Sequence, residues 1–238
     1  MLADELLEAG YATARALHQE RLARGWKRVG RKIGFTNRNL WARYGVDQPM
    51  WGTVYDRTLI RAETNRASVG LAGLAQPRIE PEICFGLKAA PRSADPGALL
   101  ASIEWVAHSI EIVQCRQPGW KVSIAECAAD NGLHGRLVVG TPVPLGELEG
   151  VVEKLPAVRV DLFKGKTRID SGIGANVLGS PLLAFGHLVE LLDKQTSLVA
   201  GEIVTTGVLT DAHAVAPGEV WSTAIFGLPL AGLTISFA

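Results

Sequence analysis

The chain is short of cysteine, short of aromatic residues, and has neither a surplus of one charge nor a long apolar run. Each shortage removes a class of protein. Three cysteines, Cys84, Cys115 and Cys127, are an odd number without zinc-type spacing. No disulfide framework is encoded, and a reducing, cytoplasmic setting is expected. Lys and Arg total 24 and Asp and Glu also total 24, so the formal net charge is zero. Nucleic acid and anionic membrane surfaces select a basic excess, and neither is an expected partner. A local positive pocket for a small anion is still compatible with that balance. No apolar stretch approaches the length of a membrane-spanning helix. At the N-terminus Asp4 and Glu5 stand where a targeting segment would be basic, so no such segment is expected.

What the chain does have is apolar material and punctuation. An apolar share of 47% can fill a sizeable core, and 238 residues suit a single domain over 1–238. Residues Leu2 to Ala23 carry Leu6, Leu7, Ala14, Leu17 and Leu22 near helical spacing, and Gly25 can end the helix. An N-terminal helical segment over 1–25 is expected. Beyond it, 26 Gly and 12 Pro break the chain into short apolar runs of strand character. These are Arg31–Phe35, Ile79–Leu87, Leu137–Val139, Ala157–Phe163, Ile203–Thr206 and Val220–Phe226. Two more helices are predicted, over Gly97–Val106 after Asp95-Pro96 and over Pro181–Leu192 with its apolar stripe. An α+β, strand-rich domain behind an N-terminal helix follows.

The informative residues are acids inside apolar strands. Glu80 and Glu82 lie two apart in Ile79-Glu80-Pro81-Glu82-Ile83-Cys84-Phe85. Side chains alternate across a strand, so both carboxylates leave one face while Ile79, Ile83 and Phe85 leave the other. Two adjacent anions need water, a shared proton or a cation. A hard divalent ion, which prefers oxygen ligands, is the sharper of these solutions; a solvated strand face is the plainer one. Glu111 is a third acid of this kind, and alternation puts it with Ser109 and Val113, apart from His108. Three oxygen ligands would leave positions on an octahedral ion for substrate and water.

Several motifs in order carry a family resemblance. They are Gly30-Arg31-Lys32-Ile33-Gly34-Phe35-Thr36, Gly45-Val46-Asp47-Gln48-Pro49, Gln76-Pro77-Arg78-Ile79-Glu80-Pro81-Glu82, Ile110-Glu111-Ile112-Val113, Ala129-Asp130-Asn131, Leu178-Gly179-Ser180-Pro181-Leu182 and Gly201 to Gly207. From about Val29 onward the chain resembles the 2-keto-4-pentenoate hydratases and the related 2-oxo-3-hexenedioate (4-oxalocrotonate) decarboxylases. Both belong to the fumarylacetoacetate hydrolase-like superfamily. The resemblance implies a fumarylacetoacetase C-terminal-like mixed β-sandwich roll, with Mg²⁺ or Mn²⁺ held by Glu80, Glu82 and Glu111. It implies catalytic roles for Lys32 and Asp47, and substrate contacts from Lys121, Ser171, Thr206 and Gly207. From the residues alone, Lys32 reads as a solvated strand end and Asp47 as a turn residue.

The chain departs from the family pattern at three places. His134 follows Asn131 where relatives carry small residues, and it is expected to be a hydrogen-bonding loop histidine. Cys84 stands where relatives often have Ala and reads as a packed residue, since a thiolate suits a hard cation poorly. Glu126 replaces a frequent Asp.

The activity implied is metal-dependent hydration of a 2-hydroxy-2,4-dienoate to a 4-hydroxy-2-oxo acid, in aromatic meta-cleavage catabolism. Decarboxylation of 2-oxo-3-hexenedioate is the alternative on the same metal site. Hydrolysis of an acylpyruvate or fumarylpyruvate C–C bond ranks lower, because His18 and Glu20 lie in the N-terminal helix without the lid motif of the hydrolases. The non-enzymatic alternative is a partner subunit in a hydratase–decarboxylase complex. A homo-oligomer built on dimers is expected. Asp47 and Glu126 are candidates to orient water, and His134 and Arg136 to bind a distal carboxylate.

Overall fold

A computed structural model describes residues 2–44, 46–192 and 197–238. The chain opens with helix α1 (Leu2–Ala23) and strand β1 (Arg28–Gly34), then short helix α2 (Trp41–Tyr44) and strands β2 (Met50–Tyr55), β3 (Leu59–Arg61) and β4 (Arg66–Val69). The long strand β5 (Arg78–Leu87) is followed by α3 (Pro96–Ser102), β6 (Ile103–Val113), α4 (Ile124–Ala129), β7 (His134–Val139) and β8 (Val143–Pro144). Then come α5 (Val151–Ala157), β9 (Arg159–Lys164), β10 (Thr167–Ile173) and α6 (Pro181–Leu191). The chain closes with β11 (Ile203–Thr205), β12 (His213–Ala214), β13 (Val220–Phe226) and β14 (Thr234–Phe237).

Among the described residues the strands form two mixed sheets. The larger runs β2-β1-β11-β5-β6-β7-β3, with β12 also on β5 and β8 on β6; the smaller runs β10-β9-β13-β14-β4. Alternation along β5 and β6 decides what each face does. Ile79, Ile110 and Ile112 pack with Val138 against Leu162, Trp221, Ile235 and Phe237 of the smaller sheet. Ile83, Phe85 and Val106 pack against Leu182, Phe185 and Leu188 of α6 and Leu155 of α5. Each such side chain, fully buried, contributes about 1.5–3 kcal/mol. The opposite face of the large sheet is free to carry Lys32, Glu80, Glu82 and Glu111.

One interruption matters for the site. On the edge of β5 away from β6, β11 pairs with Cys84 to Gly86 and β12 pairs with Arg78 and Ile79. Between them the 206–209 segment replaces a strand, giving Thr206 N–H to Ile83 O (3.2 Å) and Leu209 N–H to Pro81 O (2.9 Å). Pro81, which has no N–H to offer a ladder, falls in this gap.

Helix α1 covers the residues expected of it, and α6 ends one residue before the expected Leu192. The helix predicted over Gly97–Val106 stops at Ser102. Ile103 to Val106 enters β6 instead, because these β-branched and aromatic residues pair with the end of β5, as in Val106 against Phe85. Short helices α4 and α5 were not anticipated, since six or seven residues are too few for an apolar period. Ala157 ends α5, so the strand predicted from Ala157 begins at Arg159.

Candidate functional site

Register brings the three acids together. Glu80 on β5 lies directly opposite Glu111 on β6, and Glu82 lies opposite Ser109. All three leave the same face, and a carboxylate oxygen from each lies within 4.8 Å of the others. Like charges placed opposite on neighbouring strands are destabilising, more so when buried. Glu82 and Glu111 are fully buried and Glu80 is half-buried.

Each acid is held differently. One oxygen of Glu82 accepts from the Thr205 hydroxyl and from Gly207 N–H (2.9 Å), while Oε1, although buried, has no partner among the described residues. Glu111 Oε2 pairs with Lys32 Nζ at 2.8 Å, and Oε1 is 2.7 Å from His134 Nδ1. His134 Nε2 in turn meets Thr58 Oγ1 at 2.8 Å. Lys32 also donates to Gly132 O at 2.9 Å. That carbonyl is presented by a turn in which Asn131, Gly132 and Leu133 are all left-handed (φ 54°, 69° and 59°). The Asn131 side chain pins the turn to β2, accepting from Thr53 N–H and donating to Thr53 O.

Electrostatics separate the acids. Burial, then the Glu111 charge, pushes Glu82 well above the ordinary carboxylate range. Burial raises Glu80 to about 7, against the pull of Lys32. Burial would raise Glu111 too, but Lys32 and His134 outweigh it and hold its carboxyl low. For Lys32, burial favours the neutral amine, yet Glu111, Glu80 and Glu82 overcome it and keep the ammonium. Anionic crowding with an orphaned buried oxygen is what an oxygen-ligated cation would relieve. The donor set, three carboxylates and no sulfur, fits a hard divalent ion.

A cleft opens over Glu80 and Glu82, while Glu111 lies outside its lining. Lys32, Glu80, Glu82 and Gly207 line its floor, and Phe35, Val113, Trp120 and Leu133 are among its apolar walls. Among the described residues Lys32 is the one basic side chain in that lining. Beyond the mouth a shallow groove continues past Trp120 and holds Arg78, Lys121 and His213. The Arg78 guanidinium lies 4.2 Å from the Trp120 ring centroid.

The other residues singled out in the sequence are spread more widely. Thr206 is buried, with its hydroxyl turned to Ile83 O at 2.8 Å, and it is Gly207 that faces the cleft. Exposed Lys121 belongs to the mouth groove. Asp47 is exposed between α2 and β2, outside the cleft lining. Ser171 sits on β10 of the smaller sheet, its hydroxyl committed to Asp161 Oδ1 at 2.7 Å, also outside the cleft. Glu126 closes a capping box with Ser123 at the start of α4, so its carboxylate serves the helix rather than a water. Arg136 donates to Gly135 O (2.8 Å), and neither it nor His134 lines the cleft, so neither is placed to meet a distal carboxylate. His134 is not a loop residue; it opens β7 and supports Glu111 from behind. Thr58 and Gly132 carry no signal in the sequence, since each matters only through a contact distant in sequence.

No protein-family profile matches the sequence. The chain is 32% identical over 226 residues to 2-keto-4-pentenoate hydratase 1 of Dechloromonas aromatica strain RCB, spanning 93% of this chain and 82% of that protein. It is 34% identical over 206 residues to a 4-oxalocrotonate decarboxylase of a Pseudomonas species, spanning 86% and 77%. Among solved structures, the 4-oxalocrotonate decarboxylase of Pseudomonas putida G7, complexed with magnesium and adipate, has a TM-score of 0.87 and 28% identity. The match covers 98% of this chain and 86% of that one.

Proposed function

Because this chain belongs to the 2-keto-4-pentenoate hydratase and 4-oxalocrotonate decarboxylase group of the fumarylacetoacetate hydrolase-like superfamily, we propose that its cleft performs that group's metal-dependent hydration. The substrate is a 2-hydroxy-2,4-dienoate of the aromatic meta-cleavage routes and the product a 4-hydroxy-2-oxo acid. Glu80, Glu82 and Glu111 would hold Mg²⁺ or Mn²⁺. When bound, such an ion supplies a Lewis acid for the adjacent ketone and carboxylate oxygens of a 2-oxo acid.

The protein's own groups do the rest. Lys32 keeps a proton on Nζ because Glu111 stabilises the ammonium, so it is the cleft's proton donor and counter-charge to an anionic substrate. The Gly132 carbonyl and Glu111 fix that ammonium in direction. The apolar walls exclude bulk water and suit a hydrocarbon tail. Three free, buried cysteines support a reducing, cytoplasmic location. Assembly as a homo-oligomer, and with a pathway decarboxylase, is part of the same proposal.

The observation that carries hydration over decarboxylation is the lining itself, in which, among the described residues, Lys32 has no second cation beside it for a distal carboxylate. Product analysis with 2-hydroxypenta-2,4-dienoate and 2-oxo-3-hexenedioate side by side, with Mg²⁺ or Mn²⁺, tests this. The monoacid should be hydrated, and faster CO₂ release from the diacid would overturn the assignment. Decarboxylation keeps one specific argument, the Arg78 and Lys121 pair just beyond the mouth. If the diacid is the true substrate, Arg78→Ala and Lys121→Ala should each collapse its turnover.

A further inference from the structure

We infer that Thr36 is a substrate-binding residue whose hydroxyl donates to the carboxylate of a bound 2-oxo acid. This rests on the proposal that the cleft takes such an acid. Thr36 follows β1 in the turn that forms one wall of the cleft, and its backbone is anchored where its carbonyl accepts from Leu178 N–H at 3.0 Å. The residue is 1% exposed, and Oγ1 has no partner among the described residues. A buried hydroxyl left unsatisfied is costly, so one retained at a cleft wall marks a place for a ligand's polar atom.

Several other polar groups in the lining are engaged elsewhere or cannot donate. Lys32 is committed to Glu111 and Gly132 O. Asn37 accepts from Asn39 N–H at 3.1 Å, capping the turn that follows it. Glu80 and Glu82 are acceptors only when ionised. Thr36 Oγ1 is the buried hydroxyl of the lining that, among the described residues, has no protein partner.

Its position is tied to the acids through one backbone atom. A Cβ at Gly207 would fall 1.8 Å from Thr36 Oγ1, so the hydroxyl occupies the space a side chain there would need. Gly207 also has φ +97°, a conformation that excludes most other residues. The same residue gives its N–H to Glu82. The hydroxyl and the Glu82 carboxylate thus flank a single glycine, and a small acid drawn to the carboxylate cluster meets the hydroxyl as well.

Oxalate, which presents adjacent carboxylate oxygens and does not react, is the probe. Calorimetry of oxalate into the Mg²⁺-loaded protein is compared for wild type, Thr36→Val and Thr36→Ser, with Mg²⁺ affinity measured separately. Valine keeps the shape and removes the hydroxyl. The expected result is about 10- to 100-fold weaker oxalate binding by Thr36→Val, near-wild-type binding by Thr36→Ser, and unchanged Mg²⁺ affinity in both. Equal oxalate affinity in wild type and Thr36→Val would overturn the inference while leaving the cleft's function standing. Loss of Mg²⁺ affinity in Thr36→Val would overturn it too, by making the hydroxyl part of the ion's support. If wild type itself fails to bind oxalate with Mg²⁺, the proposed function falls, and the inference with it.

Discussion

The two sheets each bring acids together on adjoining strands, and they treat them in opposite ways. On the smaller sheet Asp161 accepts from Ser171 Oγ at 2.7 Å, with Arg159 and Arg168 at 3.6 and 3.7 Å. Next to it, Asp170 takes His213 (2.7 Å) and the backbone N–H groups of Ser171 and Asp211. Burial would raise the Asp170 carboxyl, but these donors win and hold it low. On the larger sheet Glu80 and Glu82 are raised, and Glu82 keeps an oxygen with no partner. Side-chain type does not separate the two clusters. What separates them is whether enough donors converge, and the cluster left short is the one that suits an ion.

The contrast can be broken experimentally, and the largest effect should come from the ligands. Glu80→Gln, Glu82→Gln and Glu111→Gln should each weaken divalent-metal binding by more than about 100-fold and abolish turnover, since even the supporting partners of metal ligands are worth 10- to 100-fold. Calorimetric titration of all three reads this, and unchanged affinity throughout would remove the ion from the site. Lys32→Met should come next. Turnover with saturating metal should fall on the order of 100-fold or more, while metal affinity stays near wild type, because the role proposed for the ammonium is toward the substrate. Full activity would reduce Lys32 to a structural counter-ion of Glu111.

His134→Ala should weaken metal binding about 10- to 100-fold by freeing Glu111 to move. In His134→Asn an amide nitrogen can take the place of Nδ1, and part of that affinity should return. Equal affinities in the two variants would remove His134 from the support of the ion. The smallest effect belongs to the satisfied cluster. Ser171→Ala leaves Asp161 its two arginines, so turnover should stay within about twofold and stability within about 1 kcal/mol. A large loss of turnover with the fold intact would bring Ser171 back to the substrate, where the family resemblance alone had put it.

The sequence disclosed the site unevenly, and the reasons are physical. Alternation within one strand is local, so Glu80 and Glu82 share a face from sequence alone, and Glu111 separates from His108 the same way. Opposition of Glu80 to Glu111 is a matter of register between β5 and β6, which no local pattern fixes. Thr205 reaches Glu82 across 123 positions, and His134 joins Thr58 to Glu111 across three strands or turns. The helix predicted over Gly97–Val106 overran where propensity met pairing, at Ile103 to Val106. Lys32 as a solvated strand end was plausible locally; its burial comes from the 131–133 turn folding over it.

The gap between β11 and β12 along the edge of β5 divides the cleft into two differently held walls. The acids ride on continuously paired β5 and β6, so their spacing is guarded by a hydrogen-bonded ladder. The opposite wall, through Gly207, Val208 and Ala212, hangs on β5 by turn contacts at Ile83 and Pro81 instead of by strand register. Val208 and Ala212 line the cleft without belonging to the β5–β6 ladder, so the register that holds the acids does not run through them. Acid spacing and pocket shape thereby rest on different contacts: the first on a strand ladder, the second on a turn.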